Sequence, residues 1–198
     1  MKKLLTIPFL LPVLLFAQQK SPGFITKYHY LKFSPSLLLI EAGNILPPEK
    51  TLTPALFATI GGKISRYTAV GFHTGFFNLK GSNSTVIPLG AELTITDFKT
   101  KKVFPVITAQ WSRTHFKEYY SVGGAYSHHS YNITGKQMYG ISGGAAVPAF
   151  QTKIFITAGY SRIESKTIAT LSSGPNYSSI SSWKDHHNVL VLSLSLAL

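Results

Sequence analysis

The chain has no cysteine in its 198 residues, which excludes disulfides and lipoprotein attachment. It has only 7 acidic residues, and charged residues of both signs make up 13% of the total. Soluble domains carry roughly 25%. Beyond residue 16 no apolar run approaches the about 20 residues that a spanning helix needs. What is present is a 44% apolar composition, 16 glycines and a formal charge of +12. Greasy character without helices or thiols leaves two architectures: a dense β-sandwich in water, or a barrel whose outside faces lipid.

The first residues, "MKKLLTIPFLLPVLLFAQQ", place Lys2 and Lys3 before an apolar run from Leu4 to Phe16 that holds Pro8 and Pro12. This is the pattern of a secretory signal peptide, with cleavage expected after Ala17. Residues 1–17 are read as the signal, 18–27 as a periplasmic N-terminal segment and 28–198 as the folded domain. Without Lys2 and Lys3, 17 basic residues face 7 acidic ones, a formal charge of +10. An exported chain meets no nucleic acid in its ordinary compartment, so the expected polyanion is membrane. The basic side chains are also scattered, at Lys63, Arg66, Lys80, Lys99, Lys101, Lys102, Lys136 and Lys153, as suits strand ends near headgroups.

Alternation with period two, the signature of a β-strand, recurs along the chain. Val70, Phe72, Thr74 and Phe76 alternate with Ala69, Gly71, His73 and Gly75. Ile87, Leu89, Ala91, Leu93 and Ile95 alternate with Pro88, Gly90, Glu92, Thr94 and Thr96. The same holds for segments at 55–65, 103–112, 137–147 and 153–163. The clearest is the last, "NVLVLSLSLAL", where Leu190, Leu192, Leu194, Leu196 and Leu198 share one face and Val191, Ser193, Ser195 and Ala197 the other. The second faces are small and mildly polar, as the cramped lumen of a narrow barrel requires, so the leucine row is assigned to lipid.

Short connections ("SRY", "DFKTKK", "PAFQT") alternate with longer ones from 44, from 79, over roughly Arg113 to Lys136 and over about 164 to 183. With a weakly patterned first strand near 28–42, the count is eight. The predicted fold is all-β: an eight-stranded antiparallel up-and-down transmembrane β-barrel with short periplasmic turns and longer outside loops. Tyr67, Phe76, Phe77, Phe98, Phe104, Trp111, Tyr139, Phe150, Tyr160 and Trp183 fall near strand ends, where interfacial rings are expected.

The stretches "AVGFHTGFF", "VIPLGAELTITDFKTKKVFPVI" and "KQMYGISGGAAVPAFQTKIFITAGYSRIES" resemble the small outer-membrane β-barrel proteins abundant in Bacteroidota. The resemblance covers about residues 54–165 and implies a fold and an outer-membrane address. Its motifs are structural, so it implies no chemistry. Barrels of this kind usually end in an aromatic residue; Leu198 keeps the apolar position without the ring.

An eight-stranded barrel is just wide enough to be filled by side chains. Lys63, His73, Glu92 and Gln110 are assigned to an interior polar network, with Lys63 or His73 serving the Glu92 carboxylate. The function expected is therefore structural or surface-interacting, without catalysis, cofactor or metal. One alternative is a lipid A deacylase using His128 and Ser130 of "YSHHSYNITG", which share a face if extended, with Glu118 the nearest acid. Another is a small channel. The pairs His128–His129 and His186–His187 cannot chelate as units on a strand, where neighbours point oppositely. Expected partners are outer-membrane lipid and lipopolysaccharide, the barrel-assembly machinery and an unknown ligand of the tyrosine-bearing loops (Tyr119, Tyr120, Tyr126, Tyr131). The chain is expected to be a monomer in the outer membrane.

Overall fold

In the first strand, β1 (His29–Glu41), the even positions Tyr30, Lys32, Ser34, Ser36, Leu38 and Ile40 are all buried while Pro35 and Leu37 are exposed. The run "SLLLIE", which reads as continuous apolar sequence, is thus an alternating strand with a mixed inner face. It is followed by β2 (Lys50–Lys63), β3 (Thr68–Asn78), β4 (Thr85–Ile95), β5 (Phe104–His115), β6 (Lys117–Gly123), β7 (His128–Ala149), β8 (Thr152–Ser173) and β9 (Tyr177–Ala197). The computed structural model describes residues 29–41, 50–78, 85–123, 128–150, 152–173 and 177–198. The expected signal peptide (1–17) and N-terminal segment (18–27) lie outside the described residues.

Every neighbouring pair is antiparallel, and the order β5-β4-β3-β2-β1-β9-β8-β7 is closed by a β5–β7 ladder. β6 continues β5 across Phe116 and pairs with the same strand, β7. The ring therefore has eight positions, an up-and-down barrel closed on itself. Closure runs from Lys32↔Ala197 to Glu41↔Asn188, and Leu198 N–H donates to the Leu31 carbonyl at 2.8 Å. Ser34 and Pro35 drop out of the β1–β9 ladder; Pro35 has no N–H to give it.

β1 to β5 are 11 to 14 residues long, but β7, β8 and β9 run for 21 or 22. This corrects the loop assignments at 113–136 and 164–183. Both stretches are mostly paired strand: Ser165 to Ser173 face Asp185 to Tyr177, and β6 faces His128 to Thr134. Serine and threonine in an alternating pattern form good strands once neighbouring strands supply partners, so their polarity was no sign of a loop. Lys50 to Thr53, also expected in a loop, belong to β2. The result is a barrel with a four-stranded wall, β6-β7-β8-β9, rising from one side of the long-loop end.

At the base of that wall β7 carries a bulge between Gly135 and Gln137. One extra residue flips the parity of the strand. Met138 faces inward below the bulge and Gly135 and Ile133 above it; a Cβ on Gly135 would collide with the Phe116 ring.

Two apolar layers cross the lumen. Leu38, Ile40, Phe57, Phe77, Val86, Phe116, Met138, Ile163 and Val189 form one toward the wall. Tyr30, Ala69, Val106, Ala146, Phe155 and Ala197, with Phe98 against them, form the other at the short-turn end. Four of the expected interfacial rings are therefore misassigned, because strand parity, or for Phe98 the turn after β4, sends them inward. Phe77 and Phe98 are in the lumenal layers, Phe104 pairs with buried Ala146, and Trp183 pairs with buried Thr167.

Candidate functional site

Between the two apolar layers lies a polar one. Its first row follows from register: Lys32 is opposite Thr59, and Thr59 opposite His73. Glu92, on β4, sits diagonally from His73 and opposite Gln110. The strand curvature then brings β1 and β4 together across the lumen, and Lys32 Nζ meets Glu92 Oε1 at 2.6 Å. Thr94 Oγ1 donates to the same oxygen at 3.0 Å, and His73 Nδ1 stands 3.4 Å from Oε2 and 3.2 Å from Thr59 Oγ1. All of these groups are buried. The His73 ring stacks on Phe57 at 5.3 Å, and a Cβ on Gly75 would strike that phenylalanine.

Three of the four sequence-derived network residues, His73, Glu92 and Gln110, line one cavity with Lys32, Ser34, Thr108, Ser142, Thr157, Ser161, Ser193 and Ser195. Gln110 does not touch Glu92; its amide donates to Ser161 Oγ at 3.3 Å. Lys63 is elsewhere. It lies at the short-turn end, 5.5 Å over the Phe98 ring, with the lower apolar layer between it and Glu92. The cation that serves the carboxylate is Lys32, which sequence reading missed because β1 had no clean pattern. The detectable signal was parity: Lys32 is an even position in a strand whose odd positions include Leu31, Phe33, Leu37 and Leu39.

The cavity measures about 30 Å³ as a water molecule sees it. Roughly 10–15 Å³ holds one water, so two fit and a substrate does not. Hydroxyls lining it are bonded, Thr108 to Ser142 and Ser193 to the neighbouring Ser36 at 2.6 Å. The layer pairs Glu92 with Lys32 and leaves room for about two waters beside Ser34 and His73.

The deacylase alternative fares differently. His128 and Ser130 do share a face of β7, with Gly123 and Ser121 opposite them. Glu118, however, is opposite Ile133, five positions down the ladder and on the other face. The three groups do not converge. Among the described residues no three His, Asp or Glu side chains gather as a metal site.

At the short-turn end Asp97 ties two turns together. Arg66 donates to it twice, Nε to Oδ1 at 3.0 Å and Nη2 to Oδ2 at 2.6 Å, and the amides of Lys99 and Thr100 donate to Oδ1. The Arg66 bonds, with help from those amides against desolvation, hold its carboxyl down to about 2.

No protein-family model and no curated protein matches the chain. Among solved structures it is similar to outer membrane protein AlkL in lipid bilayers, at 20% identity over 90% of this chain and 92% of that one, TM-score 0.47. It is also similar to Neisserial surface protein A, at 13% identity over 86% and 96% of the two chains, TM-score 0.47.

Proposed function

We propose that the chain is an integral outer-membrane barrel with a structural or surface-interaction role, and that it performs no catalysis and conducts no solute. One observation carries the reading: the outside of the ring is apolar on every barrel strand. Leu37, Leu52, Phe72, Ile87, Trp111, Ile141, Ile156 and Leu192 all point outward, with exposures from 42% to 61%. In the terminal strand Leu190, Leu192 and Leu194 are exposed at 55%, 59% and 55% while Val189, Ser195 and Ala197 are buried. Water-soluble monomers rarely present apolar patches beyond a few hundred Å². A bilayer removes that cost, and a closed ring leaves no backbone group unsatisfied in it.

The two apolar layers support the absence of conduction, since a track of polar groups would have to cross both. The tall wall supports a role at the surface. The expected signal peptide delivers the chain to the envelope, the assembly machinery inserts it as a monomer, and lipid and lipopolysaccharide surround it. The resemblance to small barrels of Bacteroidota belongs to the same reading.

Refolding the mature chain into detergent or phosphatidylcholine vesicles tests this. The expected result is a β-type circular dichroism spectrum and a band that shifts between unheated and boiled samples. A chain that stays folded and soluble without detergent refutes it.

A further inference from the structure

The outer surface of the wall carries a line of positive charge. Lys117, Thr134, Lys166 and Lys184 are consecutive partners across β6, β7, β8 and β9. Lys166 and Lys184 are directly opposed, an arrangement that destabilises a sheet unless something neutralises it. Nearer the barrel on the same face, Arg113 is in register with Glu164 through Gln137, and Arg162 lies two residues lower, in register with Trp111 through Tyr139. Lys136 is exposed in the adjoining bulge.

Among the described residues of this face on β5 to β9, the one carboxylate is Glu164. It is already engaged: Gln137 Nε2 donates to it at 2.7 Å, Tyr139 Oη at 3.3 Å, and Arg162 Nε lies 3.9 Å away. Arg113, Lys136, Lys166 and Lys184 alone outnumber that one carboxylate. The position of this face is equally specific, immediately above the exposed apolar band and its rings.

Building on the membrane reading, we propose that this face is a docking site for the phosphorylated headgroup of an outer-leaflet glycolipid. Arg162 takes the phosphate nearest the acyl chains, Arg113 stands between the levels, and Lys117, Lys166 and Lys184 take phosphates on the sugars above. Four residues separate Arg162 from Lys166 along β8, about 13 Å. That span exceeds one phosphate and matches an extended, multiply phosphorylated saccharide. Side-chain ammonium groups suit such a ligand because each acts as a point charge with three donors. The opposed Lys166 and Lys184 are then a built feature: two cations on one anion.

The test uses the full-length mature chain, first inserted in phosphatidylcholine vesicles and then extracted in neutral detergent. Retained glycolipid is counted by native mass spectrometry, offering either a phosphorylated lipopolysaccharide or its phosphatase-treated form. The wild type should hold the phosphorylated form at least tenfold better. Replacing Lys117, Lys166 and Lys184 with Gln should remove that preference, as each lysine near an anionic surface contributes about fivefold. Lys184→Glu should also lose it while making the fold more stable, because the repulsive pair becomes an ion pair. Gln at Lys99, Lys101 and Lys102, at the opposite end, should change nothing. Equal retention by the wall variants, or equal loss by the opposite-end variant, overturns the proposal. Failure to enter vesicles at all instead refutes the membrane reading.

Discussion

At the scale of single residues, the decisive interaction is Lys32 with Glu92. Both are buried, 2.6 Å apart, and drawn from strands distant in sequence. Removing one partner strands a charge in the lumen, which typically costs about 3–5 kcal/mol, whereas replacing both by apolar or neutral groups is often neutral. Lys32→Met and Glu92→Gln should each lower unfolding stability in detergent by that order, and the double variant should recover most of it. A double-mutant cycle in urea checks this; additive losses would mean that the pair is not coupled. Glu92 could be chosen from sequence as an inward carboxylate, since strand period alone sets parity. Its partner could not, because a cross-lumen contact depends on curvature and closure. The assignment of Lys63 erred for that reason: it is inward but one layer too low.

At the scale of elements, the turn before β3 and the turn before β5 behave as one unit. Besides the Arg66–Asp97 bonds, Thr96 N–H donates to the Tyr67 carbonyl at 2.9 Å and Phe98 N–H to the Arg66 carbonyl at 3.1 Å. Lys153 Nζ, from β8, caps the Thr100 carbonyl at 2.9 Å. The Asp97 carboxyl titrates at about 2 when folded, below its ordinary value near 3.8. A depressed carboxyl contributes stability that is complete above the ordinary value and is lost as pH falls through the folded one. The wild type should therefore lose its advantage over Asp97→Asn between about pH 4 and pH 2, measured as the difference in their thermal midpoints. "DFKTKK" was recognisable as a short turn, since Asp before a lysine-rich stretch is good turn chemistry. The wall was not. Serine and threonine in 164–183 resemble loop composition, and only the pairing of β8 with β9 makes them strand.

For the whole molecule, one face of each strand meets the proposed bilayer and the other fills the lumen. A charge on the outer face should be costly within the apolar band and tolerated beyond it. Leu192→Arg, in the middle of the leucine row, should reduce folding stability in vesicles by about 2–4 kcal/mol. Ser182→Arg, on the same face but in the wall beyond the apolar band, should have little effect. Comparable costs for the two would argue against a bilayer around β9. The sealed lumen gives a separate expectation: planar bilayers holding the wild type should show no steady current, and sustained conductance would contradict the two apolar layers.

The order of residues by itself determined the strand period, which side of every barrel strand after the first is apolar, the short connections and the count of eight, because these depend only on neighbours along the chain. It also marked the leucine row as a surface that water would not cover. Tertiary structure alone decided that Lys32 neutralises Glu92, that Lys63 does not, and that Glu118 faces away from His128 and Ser130. It decided as well that a bulge at Gly135 reverses parity beneath a tall wall, and that three distant lysines form one row. Each of these depends on register between strands far apart in sequence, which is settled only when the sheet closes and every backbone group must find its partner.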